Sequence, residues 1–121
     1  MDRRTALIVA LLFPALALEF PAPALGHHGW SEYDSTKLLK LSGKIVDSGY
    51  EHPHGYIRLE TPGKIWLCVL APPSRMEARG LAKDALKAGA GVTVEGYANR
   101  AKPDEMRAER ISAGGKTVEL R

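Results

Sequence analysis

The chain has 121 residues and a formal net charge of +3, with 45% hydrophobic and 26% charged residues. This length suits one domain, and the apolar fraction is too high for an intrinsically disordered chain. A single cysteine excludes an intrachain disulfide framework and an all-cysteine zinc site. The 17 basic and 14 acidic residues are nearly balanced, so the pI near 9.1 is weak evidence for nucleic-acid binding.

The first 26 residues have the layout of a secretory signal peptide. A basic start at positions 1–4 precedes an apolar run over positions 6–18, and small residues follow. A membrane anchor needs about 20 apolar residues, whereas this run is shorter and contains Pro14. We therefore expect residues 1–26 to be removed as a signal peptide.

Cleavage after Gly26 leaves His27 as the new N-terminus, although a cut after Ala24 also fits the small-residue pattern. Residues 27–121 are then expected in the periplasm or the medium, with no stable membrane anchor. In that oxidising compartment the lone Cys68 is expected to be either buried or reactive.

The rest of the chain contains short runs that alternate apolar and polar residues, which is typical of half-buried strands. The predicted strands cover residues 39–45, 55–60, 65–70, 92–97, 106–112 and 117–120. Gly63 and the pair Gly114-Gly115 suit the turns between them, because glycine readily adopts positive φ. Gly43 inside the first strand indicates a bulge or a tight bend.

One short helix is predicted between the third and fourth strands. Ser74 is followed three residues later by Glu77, the pattern of a capping box, so the helix is expected to begin at Ser74. Strands in this order, with the helix after the third, are typical of the oligonucleotide/oligosaccharide-binding (OB) barrel. We predict an all-β, OB-like barrel of five to six strands formed by residues 27–121 as one domain. An SH3-like barrel is the alternative, which the helix disfavours.

The third strand is predicted to be covered on both faces, because apolar residues occupy both of its alternating sets of positions. The predicted core positions are Trp66, Leu67, Val69, Val92 and Val94. Cys68 in the same strand is interpreted as a small core residue, since free cysteine is among the most buried residue types. No histidine or asparagine lies at a recognisable triad spacing from it, and no other enzyme motif is present.

Several segments of the chain resemble one protein family. They are His27-His-Gly-Trp-Ser-Glu-Tyr-Asp34, Leu41-Ser-Gly-Lys-Ile45, Glu51-His-Pro-His54, Leu70-Ala-Pro-Pro-Ser-Arg-Met76 with Arg79-Gly-Leu81, and Val92-Thr-Val-Glu-Gly96. They are similar to the domain-of-unknown-function 6152 family of small exported bacterial proteins. Its typical members carry Asn-Pro-His before the second strand, where this chain has His52 in place of the asparagine. The resemblance implies an exported barrel and no established activity.

All four histidines lie between positions 27 and 54, in two pairs. His27 and His28 are at or near the expected mature N-terminus, and His52 and His54 stand at the entry to the second strand. Imidazole binds copper, nickel, zinc and iron well, and a free His27 would add its α-amine to its ring nitrogen. Copper(II) prefers a square-planar arrangement of nitrogen ligands. The hypothesis is therefore a copper site formed by His27, His28, His54 and His52, with zinc as the other candidate metal, for carriage or sensing of the ion.

The alternative is a non-enzymatic envelope module that binds another envelope protein or a small ligand without a metal. In that case the first histidines are a loose terminus and His54 caps a strand by hydrogen bonding. Trp30 and Tyr33 flank the histidine pair and are expected to pin the N-terminal segment onto the barrel. A nucleic-acid partner is not expected, because stacking aromatics are few and export removes the usual partners.

Overall fold

A computed structural model describes residues 29–121, in which six strands follow one another with a short helical segment between the third and the fourth. The strands are β1 (Leu39–Gly49), β2 (Tyr56–Thr61), β3 (Lys64–Val69), β4 (Gly91–Ala98), β5 (Glu105–Ala113) and β6 (Lys116–Glu119). Helix α1 (Pro73–Ala78) and a 3₁₀ helix (Lys83–Leu86) lie between β3 and β4, and a 3₁₀ helix (Trp30–Glu32) precedes β1.

The strands form one sheet in the order β3-β2-β1-β4-β5-β6, which closes where β3 also pairs with β5. This closing pairing is parallel and joins Leu67, Cys68 and Val69 to Glu105, Met106 and Arg107. The other five pairings are antiparallel. The prediction of an all-β, OB-like barrel with one short helix after the third strand is confirmed, and β6 is the additional strand at its edge.

The long first strand pairs with β4 through its first half and with β2 through its second half. A Cβ on Gly43 would overlap the carbonyl oxygen of Glu60 on β2, so only glycine allows the two backbones to approach this closely. The irregularity in the β1–β2 register lies between Ile45 and Asp47. Of the two alternatives predicted for Gly43, a bulge or a tight bend, the bulge is not at this residue: Gly43 permits the close approach of the two strands, and Val46 is the extra residue.

The barrel interior is filled by inward-facing aliphatic side chains from all six strands. Its fully buried members include Ile57, Leu59, Cys68, Val94, Met106 and Ile111. The predicted core residues Val69, Val92 and Val94 are buried, as expected. Trp66 and Leu67 are only half-buried, and Ile65 is 47% exposed, so the prediction that both faces of β3 are covered is wrong for its first half.

The exposed half of β3 lies beside the β2–β3 turn, at one end of the barrel. Trp66 and Leu41 line an open groove there, together with the turn residues. The ammonium of Lys64 stands 4.1 Å from the centroid of the Trp66 ring. The half-exposed indole thus packs against the hydrophobic core and also has a cation over its ring.

The N-cap of α1 lies two residues before Ser74, the N-cap that the capping-box pattern predicts. Pro72 occupies the cap position and makes no side-chain hydrogen bond, and Pro73 is the first helical residue. Proline suits that position because its fixed φ is helical and its missing N–H is not needed there. Ser74 therefore lies inside the first turn and is not the cap. No helix in residues 29–121 combines the length and the apolarity that a bilayer crossing requires.

Candidate functional site

A cavity of about 310 Å³ opens on the outer surface of β2 and β3. The alternation of the two strands explains its walls, because Ile57 and Cys68 point into the barrel core while their neighbours point outward. The outward neighbours Tyr56, Leu67 and Val69 form an apolar wall. The polar side of the cavity comes from the β1–β2 loop, which supplies Glu51, His52 and His54.

The end of this loop is fastened to the segment that follows β3. The amide of Gly55 donates to the Ala71 carbonyl at 2.9 Å, and the amide of Leu70 donates to the Gly55 carbonyl at 2.8 Å. A Cβ on Gly55 would lie 2.6 Å from the methyl group of Met76, so the loop packs closely on α1 at this glycine. His54 directly precedes this anchored residue and is half-buried, whereas His52 is exposed.

Two of the four predicted metal ligands, His52 and His54, thus line one cavity, with the carboxylate of Glu51 on the same wall. His27, His28 and the expected signal peptide over residues 1–26 lie outside the residues that the structure describes. Within residues 29–121 there is no group of three or more His, Cys, Asp or Glu side chains arranged to hold a metal ion.

The segment before β1, residues 29–34, is docked on the outside of the barrel, and we call it the arm. Its backbone bonds to the β4–β5 connection: Asp34 donates to the Ala98 carbonyl at 2.8 Å, and Arg100 donates to the Glu32 carbonyl at 2.9 Å. Tyr33 also forms an isolated β-bridge with Asn99.

Two aromatic side chains of the arm are held by charged residues. The Tyr33 hydroxyl donates a 2.6 Å hydrogen bond to the Glu105 carboxylate. The guanidinium carbons of Arg107 and Arg121 lie 4.3 and 4.2 Å from the centroid of the Trp30 ring. The prediction that Trp30 and Tyr33 pin this segment onto the barrel is confirmed.

The arm and the cavity share one wall of the barrel. Glu105 and Arg107, which hold the arm, are paired in register with Leu67 and Val69, which line the cavity. Adjacent strands lie about 4.8 Å apart, so the arm covers the strand next to the cavity wall. The sequence did not predict this arrangement. The alternation of residues along β5 places Glu105 and Arg107 on the outside of the barrel, but it does not show which segment covers them.

The buried ionisable groups under the arm have shifted pKa values. Burial lowers the pKa of the Arg107 guanidinium, and its interactions with Arg75 and Arg121 lower it further, while Tyr33 and Glu32 act in the opposite direction. Burial, followed by the hydrogen bond to Glu105, raises the pKa of the Tyr33 phenol. Neutral Tyr33 is therefore the form that the docked arm favours.

Other candidates for chemistry have structural roles. Cys68 is completely buried, and burial raises the pKa of its thiol to about 12, so the interpretation as a core residue is confirmed. Arg75 on α1 and Arg79, which directly follows the helix, donate to main-chain carbonyls of Glu119, Leu120 and Arg121. Arg110 pairs with Glu95 and Glu119. The first two arginines thus bind carbonyls at the end of β6, and Arg110 links β5 to β4 and β6.

Comparisons with known proteins identify a family and solved structures with a similar fold. The model of a family described as "Family of unknown function (DUF6152)" matches residues 16–106. No sequence in a set of curated proteins matches the chain. Among solved structures, a crystal structure of a complex of TiaS with tRNA and ATP is similar over 70% of this chain, with a TM-score of 0.50 and 20% identity. This chain spans 19% of the length of that one, and the likeness shows the fold alone.

Proposed function

The chain belongs to the DUF6152 family, whose function is unknown, and we propose that it is an exported protein that binds copper through histidines at the cavity of β2 and β3. One observation carries the proposal: His52 and His54 open onto the same cavity, with Glu51 beside them. Imidazole is a preferred ligand of copper and zinc, and a nearby carboxylate can orient an imidazole ring.

The remaining donors come from the mature N-terminus. Removal of residues 1–26 leaves His27 with a free α-amine beside its ring nitrogen, followed directly by His28. Together with His54 these groups make a nitrogen-rich set, which suits the square-planar preference of copper(II). His52 is the fourth candidate ring, and its exposure makes it the least constrained of the set. The role is carriage or sensing of the ion in the periplasm, and zinc is the second candidate metal.

The first experiment tests where the signal peptide is cleaved and whether the processed protein binds copper. The full chain with its own leader is expressed in a bacterial host, the periplasmic fraction is collected, and the N-terminus is determined by mass spectrometry. We expect a product that begins at His27 and binds one copper(II) ion in a competition titration. Affinity falls as the pH drops through about 6.5, because the donors must be deprotonated to bind the metal.

Three altered forms test the ligand set. His54→Ala weakens copper binding by about tenfold or more, because it removes a ring nitrogen from the cavity. A Ser-Gly-Pro extension before His27 has a similar effect, because it converts the α-amine of His27 into an amide. The nitrogen of the added proline cannot replace the lost donor. His52→Asn changes the affinity less. Asp84→Asn, in the 3₁₀ helix that does not line the cavity, is the matched control and leaves the affinity unchanged.

A second candidate function rests on the apolar wall of the same cavity. Tyr56, Leu67 and Val69 offer a surface for a small ligand or a side chain of another envelope protein, which needs no metal. The two functions differ in one result. A processed protein that retains neither copper nor zinc through dialysis contradicts the metal site and favours the module that binds a ligand or a protein.

A further inference from the structure

The first strand of the barrel has an edge that its neighbours cover only in part. β1 pairs with β4 over positions 39–44, whereas its pairing with β2 begins only at Lys44, opposite Glu60. Within residues 29–121, positions 39–43 therefore have a partner strand on one side only. In an antiparallel ladder, alternate residues direct their N–H and C=O groups away from the paired neighbour. These main-chain groups of β1 face the gap that β2 leaves where the chain turns at Gly63.

That gap is the open groove beside Trp66, which has a volume of about 500 Å³ and which we call the edge groove. One wall is the β1 segment 40–42, and the other is the β2–β3 turn over residues 61–64 together with Trp66. Sites for small molecules enclose most of the surface of their ligand. An open groove along a sheet edge is better suited to an extended chain.

The edge groove is positively charged. Its lining contains the ammonium groups of Lys40 and Lys64 and no carboxylate. Lys40 is exposed and forms no ion pair with any of residues 29–121. Glu95, the residue opposite Lys40 on β4, pairs instead with Arg110 at 2.9 Å. A negatively charged ligand is therefore favoured beside Lys40.

The second ammonium group of the edge groove is held in place by the protein. The Nζ of Lys64 donates to the Pro103 carbonyl at 2.9 Å and lies over the ring of Trp66. Its carboxylate neighbour, Asp104 at 3.6 Å, is 71% exposed, so water screens that ion pair. A side chain that is already fixed in this way loses little conformational entropy when it binds an anion.

The alternation along β1 indicates which side chains a further strand would present. A strand added beside β1 has its side chains aligned with those of β1. Lys40 and Ser42 are exposed on the outer face, whereas Leu41 packs against the core from the inner face, as does Trp66. Acidic side chains at every second position would lie beside Lys40, and apolar side chains between them would cover Leu41 and Trp66.

A second copy of this chain fits the edge groove poorly. Pairing of the two β1 edges about a two-fold axis would bring Lys40 and Lys44 of both copies onto one face of the joined sheet. Like charges on neighbouring strands destabilise their pairing. The lysines thus favour an acidic partner over another copy of β1.

We propose that the edge groove is a docking site for an extended acidic peptide segment of a partner protein, which adds a strand to β1 beside positions 39–43. Main-chain hydrogen bonds to the open edge provide affinity, and the alternating acidic and apolar side chains provide specificity. The site involves neither the cavity of β2 and β3 nor its histidines, so it does not depend on copper binding.

A titration followed by NMR tests the proposal on the processed, metal-free protein. The probe is acetyl-Glu-Val-Glu-Val-Glu-Val-amide, and acetyl-Lys-Val-Lys-Val-Lys-Val-amide is its matched control. We expect saturable shifts of the amides at positions 39–43 and of the Trp66 indole N–H, with a dissociation constant of about 1 mM or below. The basic peptide is expected to leave these signals unchanged. Trp66→Phe identifies the indole signal of Trp66.

One pair of variants tests the charge of the edge groove. Lys40→Glu is expected to weaken binding of the acidic peptide about tenfold, because it replaces an attraction by a repulsion at an exposed position where the fold is not disturbed. Lys87→Glu makes the same change of net charge at an exposed residue that does not line the edge groove. It is the matched control, and its effect is expected to stay below about twofold because salt screens distant charges.

A pair of N-methylated peptides tests whether the ligand binds as a strand. Only every second N–H of a strand faces its neighbour. Methylation of either the three Glu or the three Val nitrogens of the acidic peptide is therefore expected to abolish binding, while methylation of the other set is tolerated. A one-residue slip cannot compensate, because it would exchange the acidic and apolar faces of the peptide.

The outcomes either support or overturn the docking site. Saturable shifts at positions 39–43 that are weakened by Lys40→Glu and by one N-methylated set support it. The absence of such shifts overturns it, as do equal affinities of Lys40→Glu and Lys87→Glu or equal effects of the two methylated peptides. Acetylglutamate binding as tightly as the peptide would show a site for small carboxylates instead. Sedimentation of the protein as a dimer that Lys40→Glu alters would identify a second copy as the occupant and would also overturn the proposal.

Discussion

The Tyr33 hydroxyl donates to the Glu105 carboxylate over 2.6 Å, and the two residues are 1% and 5% exposed. The same carboxylate lies 3.5 Å from the side-chain amide of Asn99 and 4.0 Å from the Lys102 ammonium. Burial of a carboxylate this deep in the protein has a large free-energy cost unless hydrogen-bond donors surround it. The bond therefore fastens the arm to β5 and stabilises a buried charge together with it.

Tyr33→Phe is expected to destabilise the protein by about 2 kcal/mol, because it removes a hydrogen bond to a charged acceptor. Denaturant unfolding followed by circular dichroism measures the loss. Tyr50→Phe is the matched control: its hydroxyl donates to the neutral Leu81 carbonyl at 2.7 Å, so about 1 kcal/mol is expected. Equal losses for the two variants would show that the charge of Glu105 is not important.

Alkaline pH is expected to destabilise the protein partly through Tyr33. Burial raises the pKa of Tyr33 above its ordinary value of 10.0, so the folded protein keeps this proton where the unfolded chain loses it. Unfolding then releases a proton, and the free energy of unfolding decreases as the pH rises above about 10. Below that pH the contribution is fully present. Unfolding curves at several pH values are compared with those of Tyr33→Phe, which is expected to show a shallower decline.

Cys68 is expected to resist thiol reagents in the folded protein at pH 8. Burial raises its pKa to about 12, so the reactive thiolate is nearly absent and the sulfur is inaccessible. Labelling with a chromogenic disulfide is followed with and without denaturant, and one thiol per chain reacts only in the denatured sample. Rapid labelling of the native protein would contradict the assignment of Cys68 to the core.

Gly96→Ala is expected to destabilise the barrel by about 2 kcal/mol, since overpacking has costs of this size. A Cβ at this position would overlap the carbonyl oxygen of Arg107, where the β4–β5 register shifts. Gly91→Ala on the same strand is the control, because its nearest neighbour would be 4.0 Å away. The denaturant midpoints of the two variants are compared. Similar midpoints would contradict the close approach of Gly96 to the Arg107 carbonyl oxygen.

The strands could be predicted from the sequence because their signal is local. The alternation from Val92 to Tyr97 reflects the pleat of a strand. The glycines at 114 and 115 have positive φ, which suits a turn. Neither signal depends on a distant part of the chain. The start of α1 is harder to predict because two local rules compete there: the capping-box pattern favours Ser74, while Pro73 already has the fixed φ of a first helical residue.

Burial along β3 and the surroundings of the histidines depend on distant parts of the chain. Ile65 and Val69 belong to the same apolar run, yet only Val69 is buried, because it lies beside β5. By contrast, the placement of His52 and His54 at one site could be predicted from their spacing. Sequence patterns alone cannot reveal that Arg107 lies under Trp30, since that contact joins opposite ends of residues 29–121.

The parallel pairing of β3 with β5 has a consequence for the order of events during synthesis. A chain is made from its N-terminus, so the arm leaves the ribosome well before residues 105–107 exist. Until β5 is complete, the side chains of Trp30 and Tyr33 lack their charged partners, which lie on that strand and at Arg121. The earliest segment of the described chain is thus among the last to be packed, and in that interval its two aromatic rings are accessible to a chaperone or a translocation factor.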